Sequence, residues 1–288
     1  MMRRHFAWPV FFLLAATSLA DPIDWPADSP VSMEFGSPNA GSSTLGLVME
    51  GADVDIRAAT AGEVSFERHA QDDHTILPSA LGDTIVLEGE DDMASVYGYL
   101  PGVADPGAKK LVAGSFIGKS GAAGLLDDDG FMYALYDRKS GRWVNPRVFL
   151  PKRGDSKAPI IRKVALEANG TSWNLGDQKS VPQGRYSIVV DTAEQETGIS
   201  GPVIGPPWYL RVLVNGEKVV EFRTEVASVK DGVLSFYPEL QGGSNLVDGD
   251  GSVELPPRLF ARGKVSIEVL VRDYAGNERS AAWTLNIE

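Results

Sequence analysis

Apolar residues in this chain come in short runs, broken every few positions by glycine, proline or aspartate. Thr84-Ile85-Val86-Leu87 and Ala94-Ser95-Val96-Tyr97 are two such runs in the first half. Tyr186 to Val190, Tyr209 to Val214, Lys218 to Phe222, Val265 to Val271 and Ala281 to Ile287 follow in the second. Runs of this length, rich in β-branched and aromatic residues, predict strands. No window sustains an apolar period of 3.6 with capping residues at its ends, so no long amphipathic helix is expected. Asn215-Gly216 stands between two β-branched runs. That pair favours a tight turn with both central residues at positive φ, and so a β-hairpin. Asp273-Tyr274-Ala275-Gly276-Asn277 reads as a turn before the last strand. The predicted fold class is all-β, and the strand density from Ala158 to Glu288 suggests an antiparallel sandwich.

Two stretches break the pattern. Arg3 and Arg4, an apolar run from Phe6 to Ala16, and Ser18-Leu19-Ala20 have the order of a secretory signal peptide, with cleavage expected after Ala20. No later stretch approaches the apolar length of a membrane-spanning helix. The expected location is therefore outside the cytoplasm, periplasmic or extracellular. The second break is Leu150 to Pro159, reading LPKRGDSKAP, which is polar, bounded by prolines and suited to a linker. The expected organisation is a leader at 1–20, a first domain at 21–151, a linker at 152–158 and a second domain at 159–288.

Charge and composition narrow the function. The net charge is −12, and loss of Arg3 and Arg4 with the leader makes it more negative. The acidity belongs mainly to the first part, with 22 acids against 12 bases from Asp21 to Lys157 and 17 against 13 beyond. Such a chain is a poor partner for nucleic acid, whose phosphates call for Lys and Arg. The chain has no cysteine, so disulfides, thiolate zinc sites and iron–sulfur clusters are excluded. Of its three histidines, His5 goes with the leader, leaving His69 and His74 in one acidic segment.

Five blocks of the first part carry the functional information. They are Thr44-Leu45-Gly46-Leu47-Val48, then Ile56-Arg57-Ala58-Ala59-Thr60-Ala61-Gly62-Glu63-Val64, then Tyr97-Gly98-Tyr99-Leu100. Gly114-Ser115-Phe116-Ile117-Gly118-Lys119-Ser120-Gly121 and Met132-Tyr133-Ala134-Leu135-Tyr136, with Gly141 to Pro146 beyond, complete the series. In this order the blocks resemble the LytM or lysostaphin-type zinc endopeptidases of peptidoglycan cross-bridges. Carried over residue by residue, the resemblance puts a zinc-ligand His at Thr44 and an Asp ligand at Val48. A catalytic His falls on Tyr99, another on Met132, and the last metal-binding His on Ala134. None of these side chains is a usual zinc ligand, which would be imidazole, thiolate or carboxylate. Gly46, Gly62, Gly98, Gly118, Gly121, Asn145 and Pro146, which shape backbone, are kept. The second part resembles the immunoglobulin-like domains of bacterial envelope proteins.

The resemblance implies a LytM-type β-sheet core followed by an immunoglobulin-like sandwich, with the scaffold kept and the chemistry lost. It implies a pseudoenzyme without metal or other cofactor, whose old groove has Thr44, Tyr99, Met132 and Tyr133 near its floor. The expected partner is peptidoglycan or an envelope protein such as a cell-wall hydrolase, and the expected role is regulation of wall hydrolysis. Two alternatives stay open: a hydrolase with its metal relocated to His69, Asp72 and His74, and a purely structural envelope component. Other motifs carry less. Ala113 to Ser120 fits a relaxed phosphate loop, which needs a following helix that Gly121 and Gly124 do not start. Asp127-Asp128-Asp129-Gly130 and Asp248-Gly249-Asp250-Gly251 lack full calcium-loop spacing and read as acidic turns.

Overall fold

The computed structural model describes residues 23–39, 41–69, 79–104, 109–230, 233–237, 247 and 250–288. The expected leader, Asp72, His74 and Asp248 lie outside these residues. The fold is all-β: among the described residues the only helical element is a single 3₁₀ turn, Pro146–Val148.

The first half is built on an antiparallel sheet. Its path runs from Lys110–Leu111 through Gly62–Arg68, Asp83–Glu88, Met93–Leu100 and Gly130–Asp137 to Arg142–Val144. Leu47–Glu50 also pairs with Gly130–Asp137 and with Val31–Met33. Because successive side chains of a strand point to opposite faces, the central strand Gly130–Asp137 feeds two cores. Phe131, Tyr133 and Leu135 enter one apolar cluster, with Leu47, Met49 and Tyr97. Met132 and Ala134 enter a smaller one on the opposite face, with Val48, Val96 and Leu126.

The second half consists of two facing sheets. Gly184–Glu194 is the hub of one, pairing with Ile160–Ala168, Val203–Ile204, Val253–Glu254 and Arg258–Phe260. The other is ordered Ser180–Val181, Glu278–Ile287, Gly263–Arg272, Tyr209–Val214, Glu217–Arg223. Strict alternation in Gly263–Arg272 buries Val265, Ile267, Val269 and Val271 against Ile188 and Val190 of the facing sheet. Asn215 and Gly216 turn the hairpin at φ +53° and +78°, both positive as the sequence predicts. Asp273 Oδ1 accepts hydrogen bonds from the backbone N–H groups of Gly276 and Asn277, closing the turn before the last strand.

The halves are not joined only by the segment at 151–159. Val226–Lys230 and Val233–Tyr237 form a hairpin that leaves the second half and extends the first sheet, with Trp143 opposite Ala227 and Val144 opposite Val226. Phe35 of the first half packs edge-on against Phe236, with ring centroids 5.7 Å apart. Asn145 is buried at this seam: its Nδ2 donates to Thr224 O (2.9 Å), and its N–H donates to Glu225 O (2.8 Å).

Candidate functional site

Four of the positions singled out by the sequence meet in one place. Met132 lies opposite Val48 on one side and Gly98 on the other, and Ala134 lies opposite Val96. Val48, Tyr99, Met132 and Ala134 are at most 6% exposed and pack together, with Met33, Leu81, Val86 and Trp143 laid against them. Backbone spacing keeps this layer tight. A Cβ added to Gly46 would collide with Tyr133 O and lie 2.6 Å from the Ala134 Cβ, and one on Gly98 would meet the Met132 methyl at 3.3 Å.

Tyr99 reaches this layer by a backbone irregularity. Alternation alone would put it on the face of Tyr97, whose hydroxyl accepts the Ala59 N–H at 2.7 Å in the opposite cluster. Asp83 pairs with Leu100 but Ile85 pairs with Tyr97, so the strand Met93–Leu100 carries an extra residue here. Such a bulge re-aims side chains. Tyr99 adopts φ +58°, a conformation uncommon for a non-glycine residue, and its ring swings to the Met132 face. Its hydroxyl accepts a hydrogen bond from Asn39 Nδ2 at 3.0 Å, and burial holds its pKa above the usual tyrosine value.

The other two expected floor residues sit elsewhere. Thr44 is buried at the edge of the layer, where its hydroxyl approaches the Met33 sulfur at 3.9 Å. Tyr133 belongs to the opposite face, one residue out of phase with Met132, and rests beside Tyr97 with ring centroids 5.3 Å apart. Among the described residues its buried hydroxyl has no hydrogen-bond partner, and burial raises its pKa well above the usual value. The expected groove floor is thus a packed layer of side chains, and Tyr133 is not part of it.

His69, the described member of the relocated-metal set, is held by two carboxylates: Nε2 lies 3.1 Å from Glu67 Oε1 and Nδ1 lies 3.3 Å from Asp83 Oδ2. Among the described residues no group of three or more His, Asp or Glu side chains is arranged to hold a metal ion. The phosphate-loop-like segment continues into a strand, Phe116–Lys119, and Lys119 pairs with Asp53 at 2.8 Å. In the acidic turn, Asp129 Oδ1 accepts the Ala122 N–H at 3.1 Å.

A cavity of about 280 Å³ lies at the junction of the halves. Its polar wall is built by Arg147. Asn145 caps the short turn through Oδ1, which accepts the Arg147 N–H at 3.1 Å, and Pro146 fixes the first position. This aims the Arg147 guanidinium at Glu34, which follows Val31–Met33, and at Glu196, just past Gly184–Glu194. Nε–H and Nη2 engage both oxygens of Glu34, and Nη2 also reaches Glu196 Oε2 at 2.9 Å. Burial works against the arginine charge, but the carboxylates, Glu34 foremost, more than offset it and hold the pKa above its usual value. Arg153 stacks 3.6 Å above the Trp25 ring and donates to the carbonyls of Ala27 and Ser29. Trp25 Nε1 in turn donates to Pro151 O at 2.8 Å. Residues of the expected linker are therefore tied to the first half. Sequence reasoning missed this cluster, because nothing in local spacing links positions 34, 147 and 196.

Comparison with known proteins adds the following. A protein-family model matches residues 158–288. No curated protein matches the chain. Among solved structures, neighbours at low identity include M23 peptidase domains. A putative peptidase M23 from Pseudomonas aeruginosa is 21% identical over 46% of this chain, with a TM-score of 0.37. The chain spans about half of that protein, 52% of its length. Lysostaphin from Staphylococcus simulans is 14% identical, covering 84% of this chain and 93% of its own, at TM-score 0.39. A chain of the SpoIIQ-SpoIIIAH pore forming complex is 21% identical over 46% of this chain and 92% of its own, at TM-score 0.38.

Proposed function

We propose that this is an exported, non-catalytic cell-envelope protein. Its first half is a degenerate LytM-type domain that binds peptidoglycan or an envelope protein, such as a cell-wall hydrolase, and thereby regulates wall hydrolysis. Its second half is an immunoglobulin-like module. The observation that carries the reading is the layer of Val48, Tyr99, Met132 and Ala134. At the positions where the resembled family places ligands and proton-transfer groups, this chain packs thioether, methyl and phenol side chains against one another. None of the aliphatic or thioether groups there can move a proton, and burial holds the Tyr99 hydroxyl protonated, accepting from Asn39. The kept glycines Gly46 and Gly98 serve close backbone approach within that layer, which accounts for a preserved scaffold without preserved chemistry.

The test uses the purified chain without its leader. Incubated with peptidoglycan sacculi, with and without added zinc, it is expected to release no soluble fragments. It is also expected to co-sediment with the sacculi or to bind a purified cell-wall amidase. Fragment release with stoichiometric zinc overturns the reading in favour of a hydrolase. Absence of both binding events favours a structural component.

A further inference from the structure

The junction cavity holds a group that the fold leaves unsatisfied. Six carboxylate and three basic residues line it, so its net charge is negative. Most are accounted for. Arg147 is matched to Glu34 and Glu196, and Arg153 to backbone carbonyls. Asp273 is spent on its own turn, accepting from the Gly276 and Asn277 N–H groups and from Asn277 Nδ2. Glu194, the last residue of the strand Gly184–Glu194, is different. It lines the cavity half-buried, and among the described residues its carboxyl group makes no hydrogen bond or ion pair. Trp208, which also lines the cavity, buries its indole N–H without a partner among the described residues; its ring lies 4.8 Å from that of Tyr274 and 5.7 Å from the Arg223 guanidinium. An unpaired carboxylate facing a cavity is open to a partner from outside the fold. A lone carboxylate beside aromatic faces is the combination that receives a positively charged group, by ion pairing and by cation–π attraction.

We infer that this cavity is a binding site for an organic cation, an ammonium or guanidinium on a short aliphatic stem, with Glu194 as its counter-ion and Trp208 and Tyr274 as its wall. The inference does not rest on the LytM-type reading and holds with or without it. The cation arrives either as a free small molecule or as a basic side chain presented by a polypeptide. Burial, with the negative charges of Glu34 and Asp273 added and Arg147 opposing, pushes the Glu194 carboxyl up to about 8. At neutral pH the free site therefore holds a proton on Glu194. Seating the cation converts carboxyl to carboxylate, and that proton leaves to solvent as the ion pair forms.

The experiment is calorimetric titration of the full mature chain with agmatine, and separately with an end-blocked Gly-Arg-Gly peptide. Each titration is run in phosphate and in Tris at pH 7. Saturable binding of at least one probe is expected, with a proton released per site and affinity rising from pH 6 to 8.5. Glu194→Gln is expected to weaken binding at least about tenfold. Binding of agmatine alone assigns the site to a free small molecule, and binding of both assigns it to a presented side chain. No saturable binding of either probe overturns the inference, as does binding without proton release. Equal affinity in a folded Glu194→Gln variant also overturns it. The proton count is read on the unsubstituted protein, so the inference stays testable even if that variant fails to fold.

Discussion

Met132 faces Val48 across an antiparallel pair of strands, and both side chains are buried in one apolar layer. A carboxylate placed at position 48 would lie against the Met132 thioether without a cation beside it. Val48→Asp is therefore expected to destabilise the protein by about 3 kcal/mol or more at neutral pH, the cost of an unpaired buried charge. The loss should shrink near pH 4, where the new group is neutral. Urea denaturation at the two pH values checks this.

Gly46 is fixed by its neighbours rather than by its own dihedrals. The Tyr133 carbonyl, which a Cβ at this position would strike, is backbone and cannot rotate away. Gly46→Ala should cost about 1–3 kcal/mol through overpacking. Among the described residues Gly102 has no atom within 4 Å of the same position, so Gly102→Ala should stay within about 0.5 kcal/mol of the parent. Paired thermal unfolding curves test the contrast.

Arg147 neutralises Glu34 and Glu196 in a nearly dry setting, where the three side chains are 11–13% exposed. Arg147→Met leaves two carboxylates uncompensated beside Glu194 and should cost about 3–5 kcal/mol. Glu34→Gln in the same chain should recover part of that loss. A double-mutant cycle by chemical denaturation measures it.

Glu194 makes stability depend on pH with a defined sign. Its carboxyl, raised by burial to about 8, holds a proton in the folded state where the unfolded chain has lost it. The folded state thus binds more protons between about pH 4.3 and 8, and the group's contribution falls as pH rises through that window. The slope reaches at most about 1.4 kcal/mol per pH unit, and the contribution levels off above pH 8. Glu194→Gln should flatten the profile, and melting temperatures of both proteins from pH 5 to 9 are the measurement.

How far the sequence reaches depends on the range of the interaction. The Asn215-Gly216 hairpin and the Asp273 turn are legible because each is decided within about six residues by φ preference and side-chain capping. The all-β class is legible from alternation, as in Gly263–Arg272. Val48, Met132 and Ala134 lie side by side because Leu47–Glu50 pairs with Gly130–Asp137, a contact between segments some eighty residues apart. Tyr133, named with Met132 in the sequence reading, lies on the opposite face, as period-two alternation along Gly130–Asp137 requires. Tyr99 needs the opposite correction, because a bulge overrides that alternation and no local residue signals the bulge. The junction is invisible in the sequence, because Glu34, Arg147 and Glu194 are far apart along the chain and meet only where the two halves come together.

That pairing makes the chain hard to take apart. A protease nick between Pro151 and Pro159 would cut the covalent connection, yet the hairpin Val226–Tyr237 would stay hydrogen-bonded to Arg142–Val144, and Phe35 would stay lodged against Phe236. The two fragments should co-elute as a nicked complex. Expressed separately, each would present a bare strand edge to solvent, the condition under which β proteins self-associate.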